Sequence, residues 1–218
     1  MLKPLVYNPP IEPLAILHID GDILITSKPA GLLSVPGKAA EHADCLELRI
    51  KDQHPNARIV HRLDMATSGI MIIAMNAKAH RHLGLQFERR HIKKTYIAHV
   101  WGSVEAETGE IDLPLRCDWP NRPLQMVDHE LGKSAQTFYQ VLSRDNNSTR
   151  LLLSPKTGRS HQLRVHLKSI GHPILGDEFY AGNEALKAAP RLMLHAERLE
   201  FFHPTGGERT DFCDPCQF

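Results

Sequence analysis

His61-Arg62-Leu63-Asp64-Met65-Ala66-Thr67-Ser68-Gly69 runs without a break into Ile70-Met71-Ile72-Ile73-Ala74-Met75. The second stretch is continuous, apolar and rich in β-branched residues, which predicts a central strand buried on both faces. The first stretch is polar, and Asp64 is its one acid. A carboxylate-bearing loop is therefore expected at the start of a rigid strand, the kind of place where loops carry chemistry. Composition alone also allows a plain turn. Asp, Thr and Ser side chains bond nearby backbone groups, and Gly accepts positive φ.

The flanking segments read as a succession of short elements. Pro4, Pro9, Pro10 and Pro13 make residues 1–13 an extended arm. Ile16 to Lys28 alternates around Asp20-Gly21-Asp22, a hairpin signal. Asp44 to His54 reads as a helix, with Asp44 and Glu47 spaced as a capping box. Asn76 is placed to cap a second helix reaching about Arg90. Strands are expected at Lys94–Trp101, Glu110–Leu115, Ala135–Leu142, Arg150–Ser154, Leu192–Leu194 and Leu199–Phe202. Asp118 to Pro123 is a polar loop. A third helix is expected from Arg159 to Ile170, closed by Gly171 at C′. Strands outnumber helices and mostly follow one another directly. That pattern implies an α+β class with a mixed, largely antiparallel sheet flanked by helices and loops. No linker or repeat interrupts it, so residues 14–218 are expected to form a single domain behind the 1–13 arm.

Composition sets further bounds. The chain has 218 residues, 42% hydrophobic and 23% charged, ordinary for a soluble globular protein. No apolar run approaches the roughly 20 residues of a membrane span. The N-terminus lacks the apolar core of a signal peptide, so a cytoplasmic protein is expected. Net charge is +1 with 14 histidines counted neutral, so any nucleic-acid site must be a local patch. The strongest patch is Arg89-Arg90-His91-Ile92-Lys93-Lys94, which equally suits a helix C-terminus. Cys45, Cys117, Cys213 and Cys216 are spaced too irregularly for a disulfide framework. Cys213-Asp214-Pro215-Cys216 is a lone CxxC near a chain end expected to fray, and a structural zinc site needs four ligands. No metal site is expected.

Two further constellations bear on chemistry. On the third helix, at 100° per residue, Leu163, Leu167 and Ile170 share one face, and His161, Arg164 and Lys168 share another with Val165 among them. Arg164 therefore either projects into a partly enclosed site or pairs with a nearby acid while packing its stem. His161 and His166 are five apart, a poor spacing for a shared metal, and hydrogen bonding is their expected role. Tyr96 follows the basic patch; it is either a core filler or a face for an unstacked base. Glycine-rich phosphate loops, zinc-protease helices and nucleophile elbows are all missing from the sequence.

The nonapeptide His-Arg-Leu-Asp-x-x-Thr-Ser-Gly resembles the signature of the RluA family of RNA pseudouridine synthases. Lys28-Pro29-Ala30-Gly31-Leu32, Lys93-Lys94-Thr95-Tyr96, Gly158 to His166, His172 to Asp177 and Leu194-His195-Ala196 resemble its other segments, in family order. The resemblance implies the pseudouridine synthase fold, an isomerase that needs no cofactor, and an RNA partner. Met65-Ala66 resembles the branch that modifies the tRNA anticodon stem-loop and a 23S rRNA hairpin. The resemblance further implies Asp64 as catalytic carboxylate, Tyr96 stacking on the flipped base, and Arg164 paired with Asp64 to hold it ionised. Arg62 would displace the target base and Leu194 would lie beneath the uracil. Arg89, Arg90, Lys93 and Lys94 would meet phosphates. No S4-type RNA-binding domain is expected before the catalytic domain, and a monomer is expected. Two other readings stay open: a same-fold synthase acting on a different tRNA or rRNA uridine, and an RNA-folding module in which catalysis is dispensable.

Overall fold

The apolar run after Gly69 is a strand, and every residue from Ser68 to Ala74 within it is buried. The computed structural model describes residues 6–218; Pro4 of the expected arm lies outside them. In chain order the first elements are β1 (Ala15–Ile19), β2 (Ile23–Lys28), α1 (Leu46–Gln53), β3 (Arg58–Ile59), β4 (Ser68–Ala74), α2 (Ala77–Glu88) and β5 (Lys93–Trp101). Next come β6 (Thr108–Asp112), β7 (Leu115–Cys117), β8 (Gln125–Val127), β9 (Gln136–Arg144) and β10 (Ser148–Pro155). The last are α3 (Gln162–Ser169), α4 (Asn183–Lys187), β11 (Leu194–Phe202) and β12 (Arg209–Cys213). Contacts gather these into two compact units, one of residues 6–94 with 195–217, the other of residues 95–194 with Phe218.

The first unit is built on β4. β2 and β3 pair with it antiparallel, β11 pairs with it parallel, and β1 and β12 extend the ladder antiparallel beyond β2 and β11. The mixture of one parallel pair with antiparallel neighbours fits the expected sheet. Register at the parallel pair sets His195 opposite Ser68 and Ala196 opposite Gly69. Gly69 has φ +117°, and a Cβ there would overlap the Ala196 carbonyl oxygen and stand 2.6 Å from its amide nitrogen. Only glycine fits a backbone held this close in that conformation.

Local chemistry explains the neighbouring elements. The β1–β2 turn closes on Asp20, whose Oδ1 accepts from the amides of Asp22 and Ile23 at 2.8 Å each. Asn76 caps α2 as expected, its Oδ1 accepting from the Ala79 amide at 2.8 Å. The capping box at Asp44 does not form. α1 begins later, with Cys45 at its N-cap and no side-chain cap. Asp44 instead takes a two-point hydrogen bond from Arg49, at 2.8 and 2.7 Å, and a fork of charge-assisted bonds outcompetes a single backbone amide.

In the second unit β5, β10, β9 and β6 form an antiparallel run in that order, and β7 with β8 forms a separate hairpin. Val165 of α3 packs in a buried cluster with Leu115, Ala135 and Tyr180, against which Leu124, Val127 and Phe179 rest. α3 starts at Gln162, not Arg159, because His161 sits in the left-handed region at φ 51°. Gln162 fixes that turn: its Oε1 accepts from Thr157 Oγ1 at 2.7 Å and from the Arg159 amide at 3.0 Å.

The two strands expected after Leu192 are one continuous β11, and β12 was not foreseen. The segment after Cys213 is tied down, not frayed. The Asp214 amide donates to the Glu197 carbonyl at 2.8 Å, and the Cys216 amide meets Glu197 Oε1 at 3.3 Å. None of the four cysteines joins a disulfide.

Gly69→Ala is expected to destabilise the protein by at least about 2 kcal/mol, through left-handed strain and overpacking together. Urea denaturation of variant and wild type checks this, and an unchanged midpoint would contradict the close approach.

Candidate active site

Asp64 lies on a loop fixed from both sides. Before it, Ser34 Oγ donates to the Leu63 carbonyl at 2.7 Å and accepts from the Leu63 amide at 3.1 Å. After it, the Met65 carbonyl receives the Gly31 amide at 2.8 Å and Lys28 Nζ at 3.1 Å. Lys28 is fully buried, and its ammonium also donates to the carbonyls of Pro29 and Leu32, each at 2.8 Å. A buried ammonium must hand its donors to acceptors. Here those acceptors are carbonyls of two loops, which it draws together. The Thr67 amide closes the turn on the Asp64 carbonyl at 3.1 Å. The Asp64 side chain itself is partly exposed.

The start of β4 is latched through His195. Its Nε2 lies 2.8 Å from the Asp214 carbonyl, an acceptor only, so Nε2 carries the proton. Nδ1 is then the acceptor for the Ser68 hydroxyl at 3.0 Å. This Ser–His–Asp series has the residue types of a hydrolytic triad, but Ser68 and His195 are both buried. It joins β4 to β11 and presents no nucleophile.

His61 is part of the same support. The Ile72 amide donates to its Nε2 at 3.0 Å, and its ring stacks on Phe87 at 4.8 Å. Burial, with the charge of Lys94 second, holds its pKa down to about 3. Burial also lowers the Lys94 ammonium to about 8. Nearby in sequence, Arg89 caps the end of α2, and Arg90 takes φ 58°. Arg62, Arg89, Arg90, His91 and Lys93 are exposed, whereas Lys94 is half-buried. The first unit thus holds Asp64 and Arg62 together with the basic patch.

Tyr96, Arg164 and Leu194 belong to the second unit. Tyr96 is half-buried on β5, opposite Leu153 of β10. Leu194 is buried. Arg164 is 4% exposed and forks onto Asp177, itself 0% exposed, with Nε to Oδ2 at 2.8 Å and Nη2 to Oδ1 at 2.7 Å. Asp177 Oδ1 also accepts from the amides of Phe179 and Tyr180, at 2.9 and 3.2 Å. The guanidinium lies 5.0 Å from the Phe179 ring centre and 5.2 Å from that of Tyr180. Of the two sequence readings of Arg164, pairing with a nearby acid is the one seen. The acid here is Asp177, which the sequence showed inside a family segment without a role. His161 Nδ1 meets the Tyr180 hydroxyl at 2.7 Å, and His166 bonds Thr137 Oγ1 and the Leu113 carbonyl at 3.0 Å each. Both histidines are hydrogen-bonding residues, as their spacing suggested.

Sequence reasoning missed Lys28, Ser34, Asp177 and the His195 latch as supports. Lys28 was marked by its family segment and by closing a strand that opens Ile23-Leu24-Ile25.

Comparison with known proteins places these features in a family. The family described as RNA pseudouridylate synthase matches residues 22–169. The dual-specificity RNA pseudouridine synthase RluA of Escherichia coli K12 is 53% identical over 214 residues, 97% of this chain and 98% of that protein. The protein of that name from Yersinia pestis is 55% identical over 204 residues, 93% and 99% of the two chains. Among solved structures, human RNA pseudouridylate synthase domain containing 1 matches with a TM-score of 0.77 and 29% identity, covering 99% of this chain and 86% of that one. Human RNA pseudouridylate synthase domain containing 4 gives 0.73 and 26%, covering 93% and 88%.

Two outcomes follow from the buried groups. His61 has a folded pKa below its ordinary value of about 6.5, so only the unfolded chain takes up its proton between about pH 6.5 and 3. Its contribution is complete above that window and is lost as pH falls through it. Stability of His61→Gln is expected to fall less steeply there, the difference being at most about 1.4 kcal/mol per pH unit in denaturation curves. Asp177→Asn removes the charged fork from the buried Arg164 guanidinium and is expected to cost about 3–5 kcal/mol, read as a lowered Tm.

Proposed function

This chain belongs to the RNA pseudouridylate synthase family and isomerises uridine to pseudouridine in RNA; on that premise we propose that Asp64 is its catalytic carboxylate. The observation that carries the reading is the double anchoring of the Asp64 loop. Leu63 is held by Ser34, and Met65 by Lys28 and Gly31, so the intervening carboxylate has a defined position. Preorganisation of this kind is what a carboxylate needs to meet developing charge without rearranging. The reaction breaks the bond from C1′ to N1, turns the uracil and forms a bond from C1′ to C5. The hydrogen lost from C5 is balanced by one gained at N1. One ionised carboxylate to engage the ribose or base suffices for such a step.

The remaining roles follow the motif resemblance, except for the phosphate contacts, which follow from the charge of the basic patch. Arg164 supplies the cation that keeps Asp64 ionised. Tyr96 offers its ring to the extruded uracil, a general device for gripping flipped bases. Arg62 displaces the target base, and Leu194 makes an apolar contact beneath it. Arg89, Arg90, Lys93 and Lys94 meet backbone phosphates. The likeness to dual-specificity relatives over almost the whole chain, with Met65-Ala66 in the motif, supports two targets: a tRNA anticodon stem-loop and a 23S rRNA hairpin. We take the enzyme to act as a cytoplasmic monomer, with residues 14–218 as one catalytic domain.

Purified Asp64→Asn is expected to fold normally, by circular dichroism, and to form no detectable pseudouridine on an anticodon stem-loop that the wild type modifies. Normal product would refute the assignment. Mapping pseudouridine in total RNA with and without the gene tests the targets. Replacing Arg89 and Arg90 together with Ala is expected to reduce the slope of log affinity against log salt by about one per lost phosphate contact.

A further inference from the structure

The β7–β8 hairpin carries an exposed aromatic that the isomerisation leaves unused. Trp119 opens a short 3-10 turn, Trp119–Asn121, and is 62% exposed. The Arg122 guanidinium lies over its indole, 3.5 Å from the ring centre. Burying a tryptophan is strongly favourable in water, so one left mostly in solvent on an ordered turn calls for a partner. The turn is ordered by its own bonds. The Asp118 amide donates to the Leu124 carbonyl at 2.9 Å, the Leu124 amide to the Asn121 carbonyl at 3.1 Å, and Asn121 Nδ2 to Asp118 Oδ2 at 3.0 Å.

The hairpin is also anchored. Leu124 and Val127 rest on the cluster that contains Val165 of α3 and Tyr180. The Gln125 amide donates to the Tyr180 hydroxyl at 2.9 Å, and that hydroxyl meets His161 Nδ1 at 2.7 Å. Trp119 is therefore presented by an arm fixed to the helix that carries Arg164.

We propose that Trp119, backed by Arg122, is a second base platform: it stacks an unpaired nucleobase of the RNA loop, one other than the target uridine. This rests on the synthase reading above and names a contact that reading lacks. A π-face accepts any base, and an arginine on the ring's other side strengthens the stack through its positive charge. The charges of the arm favour stacking over phosphate capture. Between Leu115 and Lys133, Arg116, Arg122 and Lys133 are balanced by Asp118, Asp128 and Glu130. The platform should accordingly add affinity with little salt dependence, unlike the basic patch of the other unit.

The test uses the full chain and a hairpin RNA that the wild type modifies. Trp119→Ala is expected to weaken hairpin binding and raise KM about ten-fold, with kcat little changed and the salt slope of binding unaltered. Trp119→Phe should recover most of the loss. In a Trp101→Phe background, RNA should quench the fluorescence of Trp119, the one tryptophan then left. Unchanged affinity in Trp119→Ala would overturn the proposal, as would a loss matched by lowered Tm and not recovered by Trp119→Phe. A change of oligomeric state with RNA affinity intact would overturn it too, by marking the face as a protein contact. Quenching and binding that persist while the Asp64→Asn variant still makes pseudouridine on this hairpin would instead sink the catalytic reading alone.

Discussion

The close approach of β4 to β11 is the constraint on which the first unit depends. Two backbones meet at Gly69 and Ala196 with no room for a side chain between them. That contact sets the parallel register, and the register in turn faces Ser68 with His195. Once β4 is fixed at its first residues, the polar loop before it has one place to emerge. Everything else around Asp64 adds restraint to that geometry. Ser34 holds the residue before it and Lys28 the residue after. The strand supplies rigidity because its whole length is buried, and well-packed interiors do not yield gradually.

Much of this was legible in the sequence, for identifiable reasons. A continuous apolar run can only be a strand covered on both faces or a core helix, and its length and β-branching select the strand. Asn76 and Asp20 were legible because capping and turn chemistry are local. The failures came from side-chain competition and from pairing that no period of the sequence encodes. Asp44 has the spacing of a cap, but Arg49 competes for it. The start of α3 is displaced because Gln162 bonds the turn before it, which no helical period reveals. β12 escaped notice because a strand at a sheet edge needs no strong apolar pattern when its partner, β11, provides the ladder.

The same division holds for the candidate site. Asp64, Tyr96, Arg62 and Arg164 stood out through motif resemblance, since carboxylate, aromatic and cation are chemistry-bearing types. Their supports did not. Lys28 looks like any strand-end lysine until its ammonium is found buried among carbonyls. Asp177 looks like a turn residue until it is found gripping Arg164 in the interior. Both are groups whose desolvation is costly alone and tolerable only with partners in place. Their positions are therefore strictly dictated, yet one partner of each, Met65 for Lys28 and Arg164 for Asp177, comes from another segment of the chain.

The hydrogen bond between Ser68 and His195 spans 127 residues of chain. During synthesis the Asp64 loop, with β4 behind it, is complete long before β11 and Asp214 exist. Residues 95–194, the bulk of the second unit, are made in the interval. The start of β4, where β11 pairs, must wait until the last part of the chain supplies its missing neighbour. Closing so long a loop carries an entropic cost that local contacts do not. The first part of the site to be made is thus among the last to become rigid.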